Sequence, residues 1–354
     1  MGLAYRMGSD GIFYNEIFDI TPSLGDFDFS RLSDYRFEPG WALLNIIVKT
    51  IIGDFVGVRL VCAIAIYCAL FELLKKHSKY PFTVILFFYF SGWINLNFEM
   101  LRQTCGMAFM LWGCLSLLKG DRKTFILRCI PGFFFHWSVI LVCVLLLVFS
   151  YVRVNKVTII ICASTFFVGL YMQMFLGDLV NTLNLLSSVM GDRASNYLDS
   201  EGLGFINLNW KGFAIPFCTN TILPIIVIWY YQKNGGNRYM GSILLVYLLF
   251  SSLVSSFAIA NRFAEALQFF FFIAASEMLY ETYKRKRIIL ASGTSFLLAV
   301  FLFMWTFPFL TDAHEDFAYN DKDGRYFPYT DVITKETIPE REESCTRVDL
   351  YVFR

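Results

Sequence analysis

Apolar residues fill long uninterrupted runs of the chain, and polar residues gather between them. Runs over residues 56–74, 81–97, 103–118, 157–176, 213–231, 240–260, 263–280 and 288–310 approach the length a bilayer demands. A hydrocarbon core about 30 Å thick takes roughly 20 apolar residues at 1.5 Å each, so these runs predict about eight membrane-spanning helices. Residues 41–52 are a shorter apolar stretch carrying Lys49. That length predicts a helix lying in the membrane interface with Trp41 and Lys49 as anchors, or a short helix on the aqueous side. Residues 125–150 are long, but Pro131-Gly132 and His136 interrupt them.

The flanks of that interrupted stretch are both basic, with Arg122, Lys123 and Arg128 on one side and Arg153 and Lys156 on the other. They predict a broken re-entrant hairpin that returns to the side where it began. Irregular backbone at membrane depth is tolerated only where protein or water covers it, which makes the hairpin part of an interior cavity. With the hairpin in place, the basic clusters at 75–79, 119–123, 153–156, 233–238 and 284–287 fall on one side, the cytoplasmic one by the positive-inside bias. Residues 1–55, the turn at 97–102, the loop at 177–212, the turn at 260–262 and the tail from 311 take the other side. The expected architecture is an all-α polytopic transmembrane helical bundle. It has an exported segment with a short interfacial helix at 1–55, a helical membrane domain at 56–310 and an exported tail at 311–354.

Composition excludes a soluble fold. Of 354 residues, 56% are hydrophobic and 17% charged, against about 25% charged in ordinary globular domains. A net charge of +1 gives no field that would draw nucleic acid. Eight of the nine cysteines lie in apolar runs and Cys345 stands alone. There is no CxxC or Cys/His pairing, so neither a disulfide framework nor a metal site is expected. Residues 1–40 lack the apolar core of a secretory signal and carry Asp10, Glu16, Asp19, Asp26, Asp28, Asp34 and Glu38 against Arg6, Arg31 and Arg36. Such a segment suits the exported side.

Ionisable groups at the middle or outer end of apolar helices are expensive to keep, so each is a functional candidate. Arg102, His136, Arg262 and Glu265 qualify, with Glu99 and Glu38 near the outer side. Two guanidiniums at similar depth, Arg102 and Arg262, would make one anion site, because the planar fork binds phosphate oxygens bidentately and stays charged. Blander roles stand beside these. Arg102 suits a side chain snorkelling from a helix end, and Arg262 suits an ion pair with Glu265 three residues on. His136, after three phenylalanines and before Trp137, suits a hydrogen-bonded core residue as well as a general base. Glu38 suits a solvated turn. Phe269, Phe270, Phe271 and Phe272 suit lipid-facing or packing positions, and nothing calls for a cofactor.

A set of short motifs in a fixed order resembles the EpsG family, Wzy-like polymerases of exopolysaccharide and O-antigen repeats. The motifs are Arg6-Met7-Gly8-Ser9-Asp10 with Tyr14 and Phe18, Glu38-Pro39-Gly40, Arg102-Gln103 with Ala108, Phe135-His136-Trp137-Ser138, Asn261-Arg262-Phe263, and Gly324-Arg325-Tyr326-Phe327-Pro328-Tyr329. They run from about residue 5 to residue 330. Family members usually carry a transmembrane helix before the first motif. Its absence here leads to the expectation of a chain shortened at its amino end, and the tail past Tyr329 is longer than the family's usual ending.

The resemblance implies glycosyl transfer on the periplasmic or outer face of the bacterial cytoplasmic membrane. The lipid-linked oligosaccharide donor would carry an undecaprenyl diphosphate, and a second lipid-linked repeat would be the acceptor. Membrane lipid, a chain-length regulator and a flippase are the implied partners; cofactor and metal are not required. In that scheme Arg102 and Arg262 hold the diphosphate with Arg6 as a third cation. Gln103, Glu265 and Asp10 complete the binding set, and His136 is the first candidate base with Glu38 or Glu99 the second. Two other classes fit some of the same residues. A transporter or flippase of a lipid-linked anionic glycan would also use broken helices and buried charge. A membrane acyltransferase modifying polysaccharide would use His136 as base.

Overall fold

A computed structural model describes residues 2–28, 37–172, 214–254, 260–306, 329–339 and 341–342. Its elements are helices: α1 (Ser9–Ile20), α2 (Pro39–Ile51), α3 (Val56–His77), α4 (Pro81–Ser91), α5 (Leu101–Leu117), α6 (Arg122–Phe133), α7 (Ser138–Phe149), α8 (Lys156–Met172), α9 (Leu223–Lys233), α10 (Arg238–Val254), α11 (Ala260–Lys284) and α12 (Ile288–Thr306). Wide π-type turns at Asn95–Glu99 and Phe217–Ile222 precede α5 and α9. No strand occurs among the described residues, and the fold is the expected helical membrane bundle. Three helices, Val56–His77, Ala214–Lys233 and Ala260–Lys284, are long and apolar enough to cross a membrane; 22 residues of α3 give about 33 Å at 1.5 Å each. The other apolar helices are shorter. The expected ends of the runs at residues 173–176, 213, 255–259 and 307–310 lie outside the described residues.

The chain divides into two compact units. One comprises Met1–His77, Ile85–Cys143 and Leu302–Arg354, the other Ser78–Val84 and Val144–Phe301. In the second unit the phenylalanine run of α11 is packing rather than lipid surface. Phe269, Phe270, Phe271 and Phe272 are at most 1% exposed, and Tyr247 stacks on Phe271 with centroids 4.8 Å apart.

In the first unit α5 is the central element, buried along nearly its whole length. Its glycines explain how α6 lies against it. A Cβ on Gly113 would come within 2.6 Å of Cys129 Sγ and 3.1 Å of the Phe125 carbonyl, and one on Gly106 within 3.1 Å of the Gly132 carbonyl. Small residues thus let two membrane helices approach backbone to backbone. Past Pro131-Gly132 the helix breaks, and α7 turns back, because Val139 returns to Gly106 and Gly132 and the Cys143 thiol meets that of Cys129. Fourteen residues of continuous helix would separate those thiols by about 21 Å. The interrupted stretch is therefore a hairpin, as its basic flanks predict.

The amino-terminal segment holds α1, whose Phe13, Tyr14, Ile17 and Phe18 form a buried cluster with Trp41, Val58, Cys62, Leu101 and Cys105. Trp41, expected as an interface anchor, is 1% exposed in this cluster, since its indole packs edge-on to Tyr14 with centroids 5.3 Å apart. Lys49 instead donates to the Phe18 and Asp19 carbonyls, which closes the C-terminal end of α1.

Residues 3–5 pair with residues 330–332. The Tyr5 amide donates to the Thr330 carbonyl and the Val332 amide to the Leu3 carbonyl, each at 3.0 Å, and Lys335 pairs with Asp54 at 2.8 Å. Asp54 lies below the ordinary carboxylate range. Burial, the largest single influence, pulls it up, but the hydrogen bonds from Lys335 and the Val56 amide, with the lysine's charge, outweigh it. A depressed folded value means that this contact stabilises the docked tail above the unfolded value of about 3.9 and fades as pH falls through the folded one. Hydrogen-exchange protection at residues 332–335, corrected for intrinsic rates, should thus drop on acidification below about pH 4. Asp54→Asn should lower protection at neutral pH and remove that part of the acid response; an unchanged acid response would refute the assignment.

Candidate functional site

The N-terminal end of α5 presents Arg102, one residue past its first. The guanidinium is enclosed rather than snorkelling: Nε donates to the Tyr14 hydroxyl at 2.9 Å, and Nη1 donates to Glu38 Oε2 at 2.5 Å. Phe37 covers one face at 4.5 Å from its ring centroid and Tyr14 lies at 5.5 Å. Its side chain keeps 20% exposure while that of Glu38 keeps 7%. Among the described residues these two bonds use two of the five N–H donors a guanidinium carries. An arginine fixed in orientation, charge-paired on one edge and reachable on another is a prepared anion ligand.

Glu38 is held by its own motif. Pro39 opens α2 at its first turn, where its missing N–H costs nothing. The Gly40 amide donates to the Phe134 carbonyl at 2.7 Å, and a Cβ on Gly40 would sit 2.6 Å from that oxygen. The Glu38-Pro39-Gly40 turn is thus pressed on the tip of the α6–α7 hairpin. The tip also touches α5, because a Cβ on Gly106, one turn below Arg102, would lie 3.6 Å from His136 Cβ. Arg102, Glu38, Tyr14 and the His136 tip therefore gather at one end of one unit.

His136 is half-buried there and caps α7. Its Nδ1 accepts the Ser138 amide at 3.2 Å and lies 2.6 Å from Ser138 Oγ. A ring nitrogen that accepts a backbone N–H carries no proton, so in the neutral ring the proton sits on Nε2. In that tautomer Nε2 is a hydrogen-bond donor.

Other candidates hold the amino-terminal segment in place. Gly8 has φ +76°, and a Cβ there would come 2.9 Å from Phe98 Cβ, so only glycine fits this left-handed, crowded position. Glu99 accepts the Asp10 amide at 2.9 Å, capping the first turn of α1. Arg6 pairs with both oxygens of Glu342 and, at 3.5 Å, with Glu16. The Glu342 hydrogen bond pushes Arg6 up, and burial pushes Glu16 up. Gln103 is buried on α5 at 3% exposure. In the second unit, Arg262 stands half-buried in the first turn of α11, and Asn261 Nδ2 donates to the buried Glu265 at 2.9 Å. Of the last motif, residues 324–328 lie outside the described residues.

Two participants have no role in the sequence reading. Tyr14 belongs to the motif set, but only the fold brings its hydroxyl to Arg102. Arg59 is 3% exposed and donates to the Ala4 and Met7 carbonyls at 2.8 and 2.9 Å, fixing the segment before α1. A cation within the apolar run 56–74 is the signal that would have found it. Among the described residues no group of three or more His, Cys, Asp or Glu could hold a metal ion.

The EpsG family model matches residues 1–330, nearly the whole chain. The protein belongs to the EpsG family. Membership suggests a polysaccharide-polymerase-like function in a membrane-associated chain. No curated protein and no solved structure matches the chain. The matched region of this EpsG-family protein takes in Arg6, Glu38, Arg102, His136 and Arg262.

Proposed function

We propose that this EpsG-family protein polymerises undecaprenyl-diphosphate-linked oligosaccharide repeats by glycosyl transfer at the outer face of the cytoplasmic membrane, building exopolysaccharide, capsule or O-antigen. The observation that carries the reading is the enclosure of Arg102 by Tyr14, Glu38 and Phe37 beside the hairpin tip. The donor brings its own leaving group, so the chain needs to hold diphosphate, stabilise its growing charge and accept one proton. Arg102 takes the first two tasks. Nε2 of His136, bearing its proton, donates to a phosphate oxygen or sugar oxygen.

The acceptor hydroxyl oxygen forms the new bond to the anomeric carbon, the bond from that carbon to the diphosphate breaks, and the electron pair leaves with the phosphate. Glu38 receives the hydroxyl proton on Oε1, the oxygen turned away from Arg102. Diphosphate and Glu38 compete for one guanidinium. Donor binding therefore loosens the carboxylate from the arginine and leaves its oxygens to accept the proton that the acceptor hydroxyl gives up.

Purified protein supplied with a defined lipid-linked repeat should give a ladder of products one repeat apart. Cells lacking it should hold single repeats on the outer leaflet. Repeats trapped on the cytoplasmic leaflet would instead mark a flippase, and full-length polymer lacking an acyl group would mark an acyltransferase.

A further inference from the structure

The cluster that supports the candidate site contains two thiols in contact. Cys105 on α5 donates to Cys62 on α3 with 3.0 Å between the sulfur atoms, and both residues are almost fully buried, at 3% and 1% exposure. Each follows a site-end arginine by three residues: Arg59 precedes Cys62 on α3, and Arg102 precedes Cys105 on α5. Residues three apart share a helical face. The contact therefore joins the helix that pins the amino-terminal segment, through Arg59, to the helix that carries Arg102. Its surroundings are Tyr14, Phe18, Val58 and Leu101, so little besides the two sulfurs bridges α3 and α5 by polar contact at this level.

We propose that Cys62 and Cys105 are a covalent modification site, oxidised to a disulfide that staples α3 to α5 beneath Arg102. Closing the contact requires the sulfurs to approach by about 1 Å, to the roughly 2.05 Å of a disulfide, within reach of small side-chain rotations. In the reaction the two thiols lose two electrons and two protons as one S–S bond forms. The oxidant is the disulfide of an exported dithiol oxidoreductase, which is reduced to its dithiol by exchange through a mixed disulfide. The exported compartment suits such a bond, and Cys62 and Cys105 stand near the helix ends that carry the paired amino- and carboxy-terminal segments. The linkage itself does not rest on the polymerase reading, whereas any effect on chain growth does.

The test uses the full chain purified in detergent and treated either with diamide, whose N=N bond takes up the two electrons and two protons, or with dithiothreitol. After denaturation, free thiols are blocked with N-ethylmaleimide and the digest is read by mass spectrometry. Oxidised protein should yield a linked species joining the peptides of Cys62 and Cys105, lost on reduction and lost in Cys62→Ser, and distinct in mass from any link between Cys129 and Cys143, whose thiols also meet. Its unfolding temperature should exceed that of the reduced protein by several degrees, and the part of that rise due to the staple should be lost in Cys62→Ser. Cys68, an exposed thiol, reports that oxidant has acted. If Cys68 is oxidised while both Cys62 and Cys105 carry maleimide in every sample, the proposal is overturned. A linked species combined with unchanged ladder length after oxidation would leave the staple standing and refute only its influence on polymerisation.

Discussion

Arg102→Ala leaves a folded protein that no longer extends chains, with the rate of repeat addition down on the order of 10²–10³-fold, the usual cost of removing one preorganised charge stabiliser. Arg102→Lys should recover little of it. An ammonium cannot donate at once along the lines that reach Tyr14 and Glu38 and still face a phosphate with a flat edge. Tyr14→Phe removes one of the two bonds that orient the guanidinium and should weaken donor binding by severalfold, with a smaller effect on turnover. Glu38→Gln should keep the enclosure and lose the proton acceptor, so that turnover falls while donor binding holds. The measurement is product-ladder formation by purified protein, with donor affinity scored separately. Arg102→Ala extending chains at the wild-type rate would remove the diphosphate cradle from consideration.

Gly40→Ala should damage both fold and activity. The added carbon would fall 2.6 Å from the Phe134 oxygen and 2.9 Å from its carbonyl carbon, and backbone on both sides cannot give way as a flexible side chain would. Overpacking of this kind costs about 1–3 kcal/mol. The hydrogen bond from the Gly40 amide to Phe134 would be strained with it. Because the same turn carries Glu38 and the same tip carries His136, activity should fall further than stability alone accounts for. Gly293→Ala is the matched control, since nothing lies within 4 Å of its added carbon. Thermal unfolding in detergent checks the comparison. Equal melting temperatures for the two variants would mean that the helix entrance and the hairpin tip are not packed against each other.

Much of this architecture is legible before any coordinates, because a bilayer converts run length into structure. The apolar stretch from Val56 yields α3, and Pro131-Gly132 with basic residues on both flanks yields the α6–α7 reversal. The placement of Arg102 and Glu38 as candidates also follows from position alone, since charge beside apolar helices must have a reason. What the sequence conceals is tertiary. Residues 9–20 look like part of an acidic arm when charge is counted, yet Phe13, Tyr14, Ile17 and Phe18 lie one turn apart in pairs and make a helical face. The same composition read by period shows it. The proton position on His136 was beyond reach as well, because it depends on the Ser138 amide two residues away, a contact set by where the helix restarts. The contact of the Glu99 carboxylate with the Asp10 amide, 89 positions earlier, was equally out of reach.

The pairing of Leu3 and Tyr5 with Thr330 and Val332, and of Arg6 with Glu342, sets a schedule for biogenesis. Translation moves from the amino end, yet the segment beneath Arg59 cannot close until more than 300 further residues, |i−j| = 336 for Arg6 and Glu342, have left the ribosome and been inserted. Contacts this distant in sequence form late. A ribosome that stalls before residue 330 would therefore release a chain whose first residues lack these partners, a species that quality-control proteases can distinguish from the finished protein by the exposed first residues alone.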